Sequence, residues 1–179
     1  MDIEAKASKI KLLLMDVDGV LTDGGLYIVP GPDGNMAETK GFNSQDGMAL
    51  QWLRWKGIKT GVISGRESAA TTERARQVGM AYVYLGNTEK IPILEEILAT
   101  AGLDPSEVAY VGDDFTDVPI MRRVGFAVAT ANARPEVKAV AHYVTGAPGG
   151  AGAVRETIEV ILKAQGLWQG ILTHYEMGG

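Results

Sequence analysis

Short apolar runs alternating with helical stretches constrain the fold of this chain more than any other feature. The runs fall at Ile10 to Asp16, Ile58 to Ser64, Tyr82 to Leu85, Val108 to Gly112 and Phe126 to Ala129. Alternation at this spacing predicts a parallel sheet with helical crossovers. Leu12-Leu13-Leu14-Met15 and Thr60-Gly61-Val62-Ile63 are nearly continuous apolar stretches, as strands covered on both faces are. The expected class is therefore α/β, a three-layer, doubly wound, Rossmann-like sheet. Helices from Ser68 to Val78 and from Pro92 to Ala101 stop at Gly79 and Gly102, and Asp104-Pro105 can open the next turn. A chain of 179 residues fits a single domain over 1–179. One segment breaks the alternation: Leu26 to Val29 and Met36 to Phe42 bracket Pro30-Gly31-Pro32-Asp33-Gly34. This predicts a small β-hairpin flap, about residues 25–43, inserted after the first strand. The end of the chain, about residues 166–179, carries Trp168, Leu172 and Tyr175, apolar enough to dock on its own subunit or on a neighbour.

Composition narrows the chemistry. With no cysteine, disulfides, thiolate catalysis and zinc–thiolate sites are excluded. A formal charge of −5 argues against nucleic acid as a partner, although an acidic protein can still bind a small anion through a metal and a few cations. No apolar run approaches the ~18 residues of a membrane span. Met1 to Lys11 lacks the basic-then-apolar order of a signal peptide, so a cytoplasmic location is expected.

The main chemical signal is Asp16-Val17-Asp18-Gly19-Val20-Leu21-Thr22, at the carboxyl end of the first strand, where open α/β sheets place their ligands. Alone, it could equally be a solvated turn. A calcium loop fails on spacing, because the repeated oxygen ligands and terminal Glu of an EF-hand do not follow. Ser64-Gly65-Arg66 ends the second core strand and offers a hydroxyl, backbone amides and a guanidinium suited to phosphate. Lys90 opens the next helical region and could add a point charge. Gly112-Asp113-Asp114, with Asp117, ends a fourth strand and adds carboxylates that suit magnesium. Each has a plainer alternative: a helix cap at Ser64, a surface lysine at Lys90, a capping turn at Asp113-Asp114. Their shared sheet edge favours one site. Gly146 to Gly152 followed by Arg155 could cradle an anion, or could simply lead into the last helix. His142 and His174 read as structural, and Trp52 and Trp55 as core or interface residues.

In this order the four elements resemble the haloacid dehalogenase superfamily of phosphatases, over about Lys9 to Gln165. Within it the chain is similar to the small, capless 3-deoxy-D-manno-octulosonate 8-phosphate phosphatases. The matching stretches are Asp16 to Gly24, Phe42 to Gly47 with Asp46-Gly47, Ser64-Gly65-Arg66, Gly112-Asp113-Asp114 with Asp117, and Gly149 to Glu156. The resemblance implies Asp16 as a nucleophile forming an aspartyl phosphate and Asp18 as acid and base. It implies Mg2+ held by the Asp16 carboxylate, the Asp18 backbone carbonyl and Asp113. Asp18, Ser64, Gly65 and Lys90 would contact the phosphate, with Asp114 and Asp117 orienting Lys90 or metal waters. Arg66 would hold the substrate carboxylate, and Arg155 is a further candidate for an anion contact. The implied activity is phosphate release from 3-deoxy-D-manno-octulosonate 8-phosphate in lipopolysaccharide precursor synthesis, with a nine-carbon ulosonate phosphate or another sugar phosphate as the alternative. Nine-carbon branches often carry an acidic residue at the Arg66 position, which favours the eight-carbon sugar. A homotetramer is implied, in which the hairpins associate and a neighbour's surface closes each site. Two readings from other classes are a receiver-like phosphoacceptor, whose acceptor belongs on a later central strand, and a catalytically silent assembly domain. Asp16 on the first strand and intact Asp18, Lys90 and Asp113 argue against both.

Overall fold

In the computed structural model, which describes residues 2–177, four consecutive apolar residues make the central strand. β1 (Leu12–Met15) follows a short α1 (Ile3–Ala7) and has no solvent face. Leu13 and Met15 join one core, whereas Leu12 and Leu14 join another, because successive side chains on a strand point to opposite faces. Next come β2 (Tyr27–Pro30), β3 (Met36–Thr39), α2 (Ser44–Trp55), β4 (Lys59–Ile63), α3 (Ala69–Val78), β5 (Tyr82–Tyr84), α4 (Lys90–Ala101) and β6 (Val108–Gly112). After these follow α5 (Val118–Met121), β7 (Phe126–Ala129), α6 (Pro135–Lys138), β8 (Tyr143–Val144), α7 (Ala153–Ala164) and α8 (Trp168–His174).

Six parallel strands run in the order β5-β4-β1-β6-β7-β8. The core on one face takes Leu50 and Leu53 of α2, Ile158 and Ile161 of α7 and Ile171 of α8. The other takes Ile93, Leu94 and Ile97 of α4, Ile120 and Met121 of α5 and Val137 of α6. This is the doubly wound, three-layer α/β fold. The chain leaves β1 toward β4 and β5, then returns to β6 on the other side. Strand order therefore reverses at β1, which opens a crevice at the carboxyl ends of β4, β1 and β6.

β2 and β3 pair antiparallel as a separate ribbon over the residues where a hairpin is expected. β3 ends at Thr39, before Phe42, which instead packs against the core. α3 is capped by the Ser68 side chain and closed by Gly79 in the left-handed region. α4 starts at Lys90, two residues before Pro92, because the first turn of a helix needs no donor from a proline nitrogen. The pattern did not mark β8, whose pairing is confined to Tyr143 and Val144. Of the expected tail, whose last two positions lie outside the described residues, Trp168 and Tyr175 dock on the same chain: Trp52 Nε1 donates to Tyr175 Oη at 3.1 Å, and Trp168 packs edge-on against Trp52. His142 Nδ1 accepts the Ala127 N–H, a structural contact between the β7 and β8 edges. Among the described residues no helix is long and apolar enough to cross a membrane.

Candidate active site

Asp16, Ser64 and Asp113 are the residues immediately after β1, β4 and β6, so adjacent parallel strands bring them to one edge. The cleft there, about 200 Å³, is lined by Asp16, Asp18, Ser64, Gly65, Arg66, Lys90, Asp113, Asp114 and Thr116. Lys90 reaches it from the start of α4 and is almost wholly buried. Its Nζ lies 3.1 Å from Asp16 Oδ1, 2.7 Å from Asp117 Oδ1 and 3.1 Å from Tyr110 Oη. Burial works against the lysine's charge, but Asp117 and Asp16 outweigh it, and its pKa lies above the ordinary value.

The acidic side of the cleft shows where charge is left unmatched. Burial, followed by the field of Asp117, pushes Asp16 up to about 6 despite Lys90. Burial, then Asp117, Asp16 and Asp114, push Asp113 up to about 7. Oxygens of Asp16, Asp113 and Asp117 all lie within 4.8 Å of one another. Three carboxylates face one ammonium, so two negative charges remain, which a divalent cation matches. Asp117 is already saturated. Its Oδ1 accepts from Lys90 and from Tyr110 Oη at 2.7 Å, and its Oδ2 accepts the Asp113 and Asp114 N–H groups. Asp113 Oδ1, by contrast, is buried without a hydrogen-bond partner. The orphaned Asp113 oxygen and an all-oxygen donor set fit a hard cation such as magnesium at Asp16 and Asp113. Asp117 fits the task of holding Lys90 and the loop after β6. Asp114 caps the turn that follows, accepting the Phe115 N–H at 2.7 Å.

The loop carrying Asp18 is held by backbone approach. Gly19 sits at φ +87°, in the left-handed region that favours glycine, and a Cβ there would lie 2.1 Å from the Asp113 side-chain Oδ2. A Cβ on Gly149 would lie 1.9 Å from Gly19 O. The glycine-rich segment therefore braces the Asp16–Thr22 loop: Gly150 N–H donates to Val20 O, and Asn132 links Gly149 N–H to Gly19 O. Arg155 is not brought into the cleft. Its guanidinium lies 4.1 Å over the Trp52 ring and pairs with Glu159, while its N–H donates to Asp46 Oδ1 at 2.7 Å.

Two residues near Asp18 escaped the sequence pattern. Lys40 Nζ pairs with Asp18 Oδ1 and lies 3.3 Å from Glu38 Oε1. Arg66 reaches from the turn after β4 to Glu38 Oε2 through Nη2, with Nε 3.7 Å from Asp18 Oδ2. Period-two spacing of Glu38 and Lys40 along an extended stretch was the available signal, since alternate residues share a face. Tyr110 was hidden in an apolar strand. Burial, then Asp117, push its phenol well above the ordinary value, so it acts as a donor.

A strand-end aspartate clamped by a buried lysine, beside an under-coordinated second carboxylate in a doubly wound sheet, defines a class: hydrolases of the haloacid dehalogenase type. The model of the haloacid dehalogenase-like hydrolase family matches residues 79–156. The chain is 41% identical to 3-deoxy-D-manno-octulosonate 8-phosphate phosphatase of Yersinia pestis over 170 residues, 94% of this chain and 88% of that protein. The crystal structure of that enzyme superposes with a TM-score of 0.89. The Moraxella catarrhalis phosphatase of the same name, solved with magnesium, phosphate and KDO, superposes with a TM-score of 0.90 at 39% identity, covering 97% of each chain. The chain belongs to the haloacid dehalogenase superfamily, in its family of 3-deoxy-D-manno-octulosonate 8-phosphate phosphatases.

Proposed function

We propose that this protein is a magnesium-dependent phosphomonoesterase that moves the phosphoryl group of 3-deoxy-D-manno-octulosonate 8-phosphate to Asp16 and then to water. The observation that carries the reading is the Asp16–Lys90 pair at the end of β1 beside the unpartnered oxygen of Asp113. An Asp16 oxygen attacks phosphorus while the bond from phosphorus to the sugar oxygen breaks. That oxygen leaves with the bonding electrons and takes the proton of the Asp18 carboxyl. Asp18, now a carboxylate, takes a proton from the water that attacks phosphorus next, and the bond from Asp16 to phosphorus breaks to release phosphate. Lys90, the Ser64 hydroxyl and the Gly65 amide face the phosphoryl oxygens and offset their charge as it builds. Asp16, Asp113 and the Asp18 carbonyl would hold magnesium, whose charge, when bound, relieves the repulsion between a carboxylate and a phosphate dianion.

The names and identities of the relatives support the eight-carbon sugar acid, and so a place in lipopolysaccharide precursor synthesis. Arg66, on the rim of the cleft, suits a substrate carboxylate. A homotetramer is part of the proposal, supported by the exposed Leu26, Ile28, Val29 and Met36 of the hairpin, an apolar patch that a single subunit leaves uncovered. Phosphate release should be screened with 3-deoxy-D-manno-octulosonate 8-phosphate, nine-carbon ulosonate phosphates and simple sugar phosphates, each with magnesium and with chelator. The reading requires the eight-carbon ester to be the preferred substrate and the chelated enzyme to be silent. Equal rates on all esters would remove the substrate assignment, and full activity in chelator would remove the metal.

A further inference from the structure

A lysine at the end of a surface hairpin ordinarily extends into solvent. The Lys40 side chain is instead 1% exposed, turned inward between two carboxylates. Its ammonium pairs with Asp18 Oδ1 and Glu38 Oε1, and Arg66 pairs with the other oxygens of the same two groups. These four residues close a ring that joins the loop after β1, the flap and the turn after β4. Contacts to both oxygens of Asp18 and of Glu38 fix a direction for the Asp18 side chain. Asp16 is oriented from the opposite side, by Lys90 and through it Asp117 and Tyr110. The two aspartates are thus aimed by separate devices, one at the sheet edge and one that joins the flap to the turn after β4.

We propose that Lys40 is a positioning residue for Asp18: the flap uses its ammonium to hold the Asp18 carboxyl group where it can serve the departing sugar oxygen. This rests on the reading of Asp18 as the proton donor. A lysine working only through that donor matters when the leaving group needs a proton, and hardly at all when it does not. A sugar alkoxide needs one; p-nitrophenolate does not.

The test compares kcat/KM for 3-deoxy-D-manno-octulosonate 8-phosphate and for p-nitrophenyl phosphate at saturating magnesium. This constant covers only the steps through departure of the alcohol and is blind to the later attack by water. Lys40→Met should lower kcat/KM for the sugar ester by about thirtyfold or more and for the aryl ester by less than about threefold, and Lys40→Arg should recover most of the loss. Glu38→Gln, which weakens the ring without removing the ammonium, should show the same selectivity to a smaller degree and covers the case in which Lys40→Met does not fold. Asp18→Asn must show the selectivity in deeper form. Equal losses on both esters in Lys40→Met, or no loss, while Asp18→Asn stays selective, would overturn the role of Lys40 alone. Equal losses in Asp18→Asn would overturn the reading of Asp18 and the proposal with it.

Discussion

The two sides of the cleft are built on opposite terms. On the sheet side, Asp16, Lys90, Asp113 and Asp117 come from strand ends and the first turn of α4. Their partners lie inside the domain, apart from the orphaned oxygen on Asp113. On the flap side, Glu38 comes from a two-stranded ribbon separate from the main sheet and Lys40 follows its second strand directly, and the ribbon's Tyr27, Ile28, Val29 and Met36 are exposed. On the proposed function, the sheet side holds the groups for attack on phosphorus and the flap side those that meet the sugar. The proposed tetramer would then complete the flap side, where the sheet side needs no neighbour.

The sharpest way to break this contrast is at Asp16. Asp16→Asn should lower magnesium-dependent phosphate release by about ten-thousand-fold or more, because no other group stands at the nucleophile's place. The fold should survive with an unchanged or higher melting temperature, since removing one charge relieves its repulsion with Asp117 and Asp113 while Asp117 still holds Lys90. Substantial turnover in the purified variant would deny Asp16 the role.

Removing metal should act next most strongly, and it carries a pH signature. Asp113 and Asp16 lie at about 7 and about 6 against an ordinary 3.8. Both therefore bind protons more tightly folded than unfolded. Their stabilising contribution is complete below the unfolded value and is lost as pH rises through 6 to 7. Melting temperature without metal should fall between pH 5 and about 8, magnesium should remove most of that fall, and magnesium affinity should rise over the same interval as protons leave. A pH-independent magnesium affinity would show that these carboxylates are not the ligands.

The sheet side was legible in the sequence for the same reason that it is rigid. Apolar runs fix where strands end, and Asp16, Ser64 and Asp113 follow those ends directly. Lys90 was legible as the first residue after a strand and its loop, although its burial was not. The flap side was less legible, since a local pattern marks Met36 to Phe42 as extended without saying that the face bearing Glu38 and Lys40 turns toward Asp18. Tyr110 looked like any core residue of an apolar strand. The Gly146 to Gly152 segment pointed equally to an anion cradle or a helix start, because the approach of Gly149 to Gly19 O is a tertiary contact that composition cannot show.

That approach gives a smaller, structural test of the sheet side. Gly149→Ala would place a methyl group against backbone that has no room for it, at a cost of about 1–3 kcal/mol. Because the displaced loop carries Asp18, kcat should fall together with the melting temperature. Gly146→Ala is the control, since its nearest neighbour would be a Glu156 oxygen at 3.8 Å, and it should change neither. Similar effects from both would mean that general loop stiffness, rather than the contact with Gly19, holds the Asp16–Thr22 loop.

On the flap side, the smallest expected effect on a single subunit belongs to the pair Ile28→Ser and Met36→Ser. Both residues lie on the ribbon face that also carries Glu38, and they are 61% and 64% exposed. Exposed positions of this kind alter the stability of one domain by about 0.5 kcal/mol or less. If the proposed tetramer forms through this face, light scattering should nonetheless show a lower mass for the variant than for its parent, because the variant removes apolar surface that association would bury. Turnover of the sugar ester should drop further than turnover of p-nitrophenyl phosphate, since the sheet side needs no neighbour and the aryl ester makes little use of the flap. An unchanged mass would place the assembly surface elsewhere. A dissociated variant with full sugar-ester activity would show that one subunit suffices, and that its flap is finished without a neighbour.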